Sequence, residues 1–220
     1  MARLPLGILG PVSGKVGNVV GGNWRGIDYL RAMPASVGNP RTEAQLTQRG
    51  RFVTMLRFLQ PVLEFVKIGF KPYAVKMSTY NAAMSYNLRN ALEGSFPDFT
   101  IRYEDVLVAR GNLRDVSNVT LSSTGGLELQ VNWSDNSGMS AVSSTDRVML
   151  LAYNVEEQDA FYDFNAALRS DAQMQVTLPE SFGGKAVHVW LALTNLPELI
   201  LAGDRNSLSN SVYAGSITLP

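Results

Sequence analysis

Met1–Thr42 holds eight of the chain's nineteen glycines and a single acid, Asp28. A segment punctuated in this way turns sharply, but every glycine also removes a side chain that a core would need. Its Val, Ile, Trp and Tyr residues can therefore build strands only where another surface supplies the rest of a core. Residues 15–20 and 24–31 are short β-prone runs, and the intervening Gly21-Gly22-Asn23 predicts the loop of a β-hairpin. A lone two-stranded ribbon is marginal in water. Val16, Val19, Val20, Trp24, Ile27 and Tyr29 are accordingly expected to pack on another domain or another subunit.

The formal net charge of zero conceals two unlike halves, because residues 1–92 contain twelve Lys or Arg against three acids and the remainder carries the compensating −9. Such asymmetry suits a polyanion partner or head-to-tail contact between copies. Lys15, Arg25, Arg31, Arg41, Arg49, Arg51 and Arg57 are the strongest binding candidates, since arginine presents forked donors to carboxylate or phosphate. With Trp24, Ile27 and Tyr29, all but Arg57 make the candidate interaction set. Protein–protein contact is the leading expectation. Nucleic-acid binding is the lesser one, because the spacing of these cations and aromatics matches no recognised basic motif.

Beyond the hairpin, a turn-rich linker leads to Thr42-Glu43-Ala44-Gln45, a capping box that predicts a helix from about Glu43. Leu46, Val53, Leu56 and Leu59 recur at near-helical spacing. Pro61 suits the first turn of a second helix over 62–68, and residues 78–92 read as a third, with Tyr80, Ala83, Met84, Leu88 and Leu92 on one side and Gly94 as its C-terminal cap. After Pro97 the pattern becomes β, with candidate strands at 100–103, 106–109, 119–122, 127–133, 147–153, 174–178, 186–193 and 212–219, and one small helix at 158–169. In 127–133, Leu127, Leu129, Val131 and Trp133 alternate with Glu128, Gln130 and Asn132, the mark of a half-buried strand. The expected class is α+β: an N-terminal hairpin and helical region over 1–110, then an all-β sandwich over 111–220.

Little catalytic chemistry is available. Cys is absent, which removes disulfides, thiolate metal sites and cysteine nucleophiles. Gly14-Lys15 invites a phosphate-loop reading, but Leu9 and Val16 stand where the pattern needs Gly and Ser or Thr. His188 is the only histidine, so a three-His site cannot be built within one chain, and a strand-surface role is expected for it. Glu104-Asp105 and Glu156-Glu157 are adjacent pairs that a strand would point to opposite faces. Asp135, Asp146 and Asp159 read as solvating loop residues. No enzyme activity and no cofactor is expected. No apolar run approaches the roughly 18 residues of a membrane span, so a cytoplasmic product, or a particle built in a host cytoplasm, is expected.

Two resemblances extend this reading. LELQVNWS, RVMLLAYNV, AVHVWLALTN and SVYAGSITL resemble the second, third, sixth and last strands of a fibronectin type III or immunoglobulin-like domain covering 118–219. GILGPVSGKVGNVVGGNWRGIDYLR, NPRTEAQLTQRGRF and FPDFTIRYEDVLVARGNL are similar to a family of uncharacterised proteins from Bacteroidota and their phages, a domain of unknown function that supplies no catalytic residues to carry over. Its phage association implies a virion component: a non-enzymatic structural protein of a multi-copy assembly, homo-oligomeric or joined to capsid or tail proteins, docking through the N-terminal arm. A bacterial immunoglobulin-like protein-binding module is the alternative. An edge strand of such a sandwich can accept a strand from another chain, and the glycine-rich arm is a natural donor.

Overall fold

The structure is a computed structural model that describes residues 3–4, 6–7, 10–24, 26–36, 38–39, 41–139, 142–195 and 204–220. Its contacts separate two compact units, Met1–Thr42 and Glu43–Pro220. The class is α+β, with three helices, all N-terminal to the large sheets, and twelve strands in four antiparallel sheets among the described residues.

The first unit is a three-stranded meander, β1 (Gly14–Val16), β2 (Val19–Trp24) and β3 (Ile27–Ala32), in the order β1-β2-β3. This corrects the expected hairpin. Gly21-Gly22-Asn23 lies inside β2, and the strands instead reverse at Gly17-Asn18 and between Trp24 and Ile27. Gly17 takes φ +56°, as the first position of a two-residue hairpin loop requires. The glycines of β2 serve close approach instead: a Cβ on Gly21 would run into the carbonyl oxygen of Val12, and Gly22 lies under the ring of its cross-strand partner Tyr29.

The second unit begins with α1 (Glu43–Leu59), α2 (Leu63–Gly69) and α3 (Thr79–Asn90). The buried stripe of α1 is Met55, Phe58 and Leu59 and continues through Val62, whereas Val53, an expected core position, is exposed together with Phe52. The α3 helix starts as predicted, with the Ser78 hydroxyl accepting from Asn81 N–H, but it ends at Asn90 with Ala91 as cap. Gly94 belongs instead to a hairpin of β4 (Leu92–Ser95) and β5 (Asp98–Ile101), where a Cβ would meet the Asp98 carbonyl. The expected strand at 106–109 pairs with no other strand. Asn87, fully buried on α3, substitutes for one: its amide donates to Leu107 O at 2.9 Å and its Oδ1 accepts from Leu107 N at 2.9 Å.

Two sheets follow. One has the order β10-β7-β6, from β6 (Ser117–Gly125), β7 (Glu128–Ser134) and β10 (Gln173–Thr177). The other has the order β12-β11-β8-β9, from β8 (Arg147–Asn154), β9 (Asp159–Leu168), β11 (Ala186–Thr194) and β12 (Val212–Thr218). Leu129, Val131 and Trp133 of the first share a core with Val148, Leu150, Val189 and Leu191 of the second. The four-stranded sheet is buried on its other face too, where Met149, Leu151, Tyr153, Trp190 and Ala192 meet Met55, Phe58, Phe65 and Met84. Coverage on both faces explains why β8 reads as the continuous apolar run VMLLAY rather than an alternation. A boundary near residue 110 therefore falls inside one compact unit.

The small helix expected at 158–169 is strand β9. Tertiary pairing decides it: Tyr162 stands opposite Leu151 of β8, and Ala160, Tyr162 and Phe164 turn alternately toward the helical core while Phe161 turns toward the inter-sheet core. That period of two is a strand signature.

Candidate functional site

In an antiparallel pair, directly opposed residues lie on the same face of the sheet and successive residues on opposite faces. The register of the meander pairs Lys15 with Val20, Val20 with Arg31, Gly22 with Tyr29 and Trp24 with Ile27. One face therefore carries Lys15, Val20, Trp24, Ile27, Tyr29 and Arg31. Five of the nine candidates, Lys15, Trp24, Ile27, Tyr29 and Arg31, are gathered there. The opposite face carries Val16, Val19, Leu30 and Ala32, with the single acid Asp28 accepting from Asn23 Nδ2 at 2.8 Å. The cationic face thus holds aromatic and aliphatic groups, two cations and no carboxylate.

Neither face has a core. Gly21 is the only buried residue among the described residues of the unit, while Trp24 is 61%, Ile27 62% and Leu30 63% exposed. A shallow groove of about 400 Å³ runs between residues 10–12 and residues 28–30 of β3. Sequence pattern identified the residue types; Val20 and the bare backbone of Gly22, which lets Tyr29 lie flat, emerge only with the register.

The remaining candidates lie elsewhere. Arg25 lies outside the described residues. Arg41 is exposed and precedes α1. Arg49 is exposed on α1. Arg51 is partly buried and donates from Nη2 to Leu88 O at 2.8 Å, tying α1 to α3. Its fork is thereby turned to helix packing.

Three further constellations bring polar, charged and aromatic groups together in the second unit. His188 is half-buried rather than on an open strand surface: its ring stacks on Tyr103 at 3.9 Å between centroids, and Nδ1 lies 2.7 Å from Tyr213 Oη. Burial lowers its pKa to about 4, so it is neutral near pH 7, while burial raises the Tyr103 and Tyr213 hydroxyls. Asp146, expected in solvent, is buried and accepts from Arg169 Nε at 3.0 Å. Arg169 also donates to Asn136 Oδ1 and Arg114 O, and its own carbonyl accepts from Trp133 Nε1. This cluster fastens loops at one end of the sheets. Arg110 lies over the rings of Tyr73 and Tyr86, and Arg205 over Tyr73.

Among the described residues, no group of three or more His, Cys, Asp or Glu is placed to hold a metal ion, and no helix is long and apolar enough to cross a membrane. No curated protein matches the sequence. Residues 11–215, which include the meander, the helices and both large sheets, match a family of unknown function (DUF6266), and the chain belongs to that family.

Proposed function

We propose that this chain is a non-enzymatic structural protein of a multi-copy assembly, an auxiliary or decoration component of a phage particle, which docks through its N-terminal meander. One observation carries the reading: a β unit with ordered strands and turns leaves nearly all its large apolar side chains in solvent. Monomeric proteins seldom expose contiguous apolar patches beyond a few hundred Å², and larger ones mark interaction sites. The aromatic and arginine-bearing composition of the patch is that of protein interfaces.

The two large sheets support a fibronectin type III-like sandwich as the body of this component. Their orders, β10-β7-β6 and β12-β11-β8-β9, follow the three-plus-four strand arrangement of that fold. Unlike an isolated module, this sandwich has the outer face of its four-stranded sheet covered by helices, which leaves its loops, edges and the meander for contacts.

Deleting residues 1–34 tests the proposal. The truncated chain is expected to be monomeric by light scattering while its circular dichroism and thermal transition persist, because Glu43–Pro220 has its own cores. An unchanged oligomer would refute docking through the meander. The interleaving of Trp24 and Tyr29 with Lys15 and Arg31 favours a second reading, single-stranded nucleic acid, through stacking between cations. That reading requires retention of the full chain on DNA cellulose with a steep salt dependence.

A further inference from the structure

Among the described residues two strand edges stand open, one on β3, whose Arg31 and Asp28 turn to opposite faces, and one on β9, which carries Asp159 and Asp163 and no cation. At the end of the first unit, β3 has β2 on one side, and among the described residues no other segment makes a backbone hydrogen bond to it. Met33 N–H donates to Asn18 O at 2.7 Å beside the Val19–Ala32 pair, which by alternation makes Val20–Arg31, Gly22–Tyr29 and Trp24–Ile27 the hydrogen-bonded pairs. By alternation, Asp28, Leu30 and Ala32 then turn their N–H and C=O groups outward. At the edge of the four-stranded sheet, β9 has β8 on one side only. Its Ala160 N–H goes to the neighbouring Asp159 Oδ1 at 2.8 Å, which places that group on the outward side, and alternation places Tyr162 with it.

The charges of these edges differ. Met1–Thr42 contains five Lys or Arg and one acid, +4, leaving −4 on Glu43–Pro220. Glu156, Glu157, Asp159 and Asp163 lie along β9 and the turn that leads into it, and of these Glu157 is paired with Lys185. The other open edges are less suited. The β12 strand is flanked by β6 and by the turn at Tyr103–Asp105, β10 is five residues long, and β6 carries no charged side chain. Beside β9, a groove of about 480 Å³ is lined by Ile68, Tyr162 and Phe164 together with Glu64, Lys67 and Lys71, next to the side chains an added strand would present on that face.

We infer that β9 of one copy receives β3 of a second copy, so that the meander extends the four-stranded sheet of its neighbour. This inference rests on the proposed docking role of the meander and specifies the acceptor. The main chain supplies affinity through the outward groups of Leu30 and Tyr162, as in strand addition generally. Arg31 against Asp159 and Asp163 supplies steering and selects the pairing. Donor and acceptor surfaces differ, so the contact is heterologous and propagates head to tail. A chain of zero net charge can stack in this way without accumulating repulsion.

Complementation between two blocked variants tests the inference. Leu30→Pro removes an outward N–H from the donor edge, and Ala160→Pro removes one from the acceptor edge; neither residue gives up a ladder hydrogen bond. Each variant alone is expected at the monomer mass of 24.0 kDa at concentrations where the wild type is larger. Their mixture is expected to form a dimer that does not grow, because it has one intact donor and one intact acceptor. If Ala160→Pro loses its circular dichroism, Asp159→Lys/Asp163→Lys takes its place with the backbone untouched. Leu30→Pro monomeric with the β9 variants still assembled overturns the acceptor and leaves the docking role standing. A wild-type monomer, or a mixture that stays monomeric, also overturns the inference. An oligomer that survives deletion of residues 1–34 removes the docking role itself.

Discussion

Truncation of Trp24 to Ala is the sharpest test of the cationic face, because the expected loss follows from area. A tryptophan carries about 250 Å² that burial can remove from water, and Trp24 is 61% exposed. A partner that covered it fully would remove about 150 Å², which at about 25 cal/mol per Å² is about 4 kcal/mol. Half coverage gives about 2 kcal/mol. At about 1.4 kcal/mol per tenfold, Trp24→Ala should weaken self-association by about 25-fold to 700-fold. Sedimentation velocity over a concentration series measures this directly. Phe52→Ala is the matched control, since Phe52 is 45% exposed but stands on α1. It should leave the association constant where it was. A Trp24→Ala constant within about threefold of wild type, or an equal loss in Phe52→Ala, would refute the argument that this face is the apolar centre of the contact.

Two further predictions concern the second unit. Asp146→Asn keeps the shape of the side chain but strands the fully buried Arg169 guanidinium without its countercharge; breaking a buried pair in this way costs about 3–5 kcal/mol. For a unit of this size that is a fall in Tm of about 6–20 °C, read by calorimetry, and a fall below about 2 °C would show that Asn136 and the Arg114 carbonyl suffice. Folding also holds His188 neutral, with a pKa of about 4 against an ordinary 6.5. The unfolded chain therefore takes up the proton first as pH falls. Stability should be flat above about pH 6.5 and decline toward pH 4, with that component absent in His188→Gln; an identical urea midpoint difference between pH 7.5 and 4.5 in both proteins would remove His188 as its source.

Much of the second unit was legible because its periodicities are undisturbed. The α1 start follows from the capping box, α3 from its apolar period, and β7 from strict alternation, since one face meets the other sheet and the other meets solvent. The errors have a common cause in contacts made across the chain. The helix expected at 158–169 is a strand because pairing to β8 overrides the local helix propensity of Ala166, Ala167 and Leu168. Val53 and Leu46 fit a helical stripe as well as Met55 and Phe58 do, and only the position of the sheet beneath α1 decides which stripe is buried. Asp146 and Arg169 stand 23 residues apart, and nothing local marks them as a pair.

The meander shows a different limit. Its candidate residues could be chosen by type alone, since a glycine-rich segment that keeps Trp, Tyr, Ile, Lys and Arg has little other use for them. Their common face could not, because moving the turn from 21–23 to between Trp24 and Ile27 changes which residues are paired, and a slip of one residue would send half of them to the other side. With the turn at 21–23, Lys15 would have no Val20 opposite it and Tyr29 no glycine to lie on. With the turns observed, every described strand residue of the candidate set falls on one face and the only acid on the other. Segregation by charge is what a folded core does not require and a docking surface does. The same register also leaves β3, and not β2, at the edge of the sheet. The strand that carries Ile27, Tyr29 and Arg31 is thus the one whose backbone is open to a neighbour.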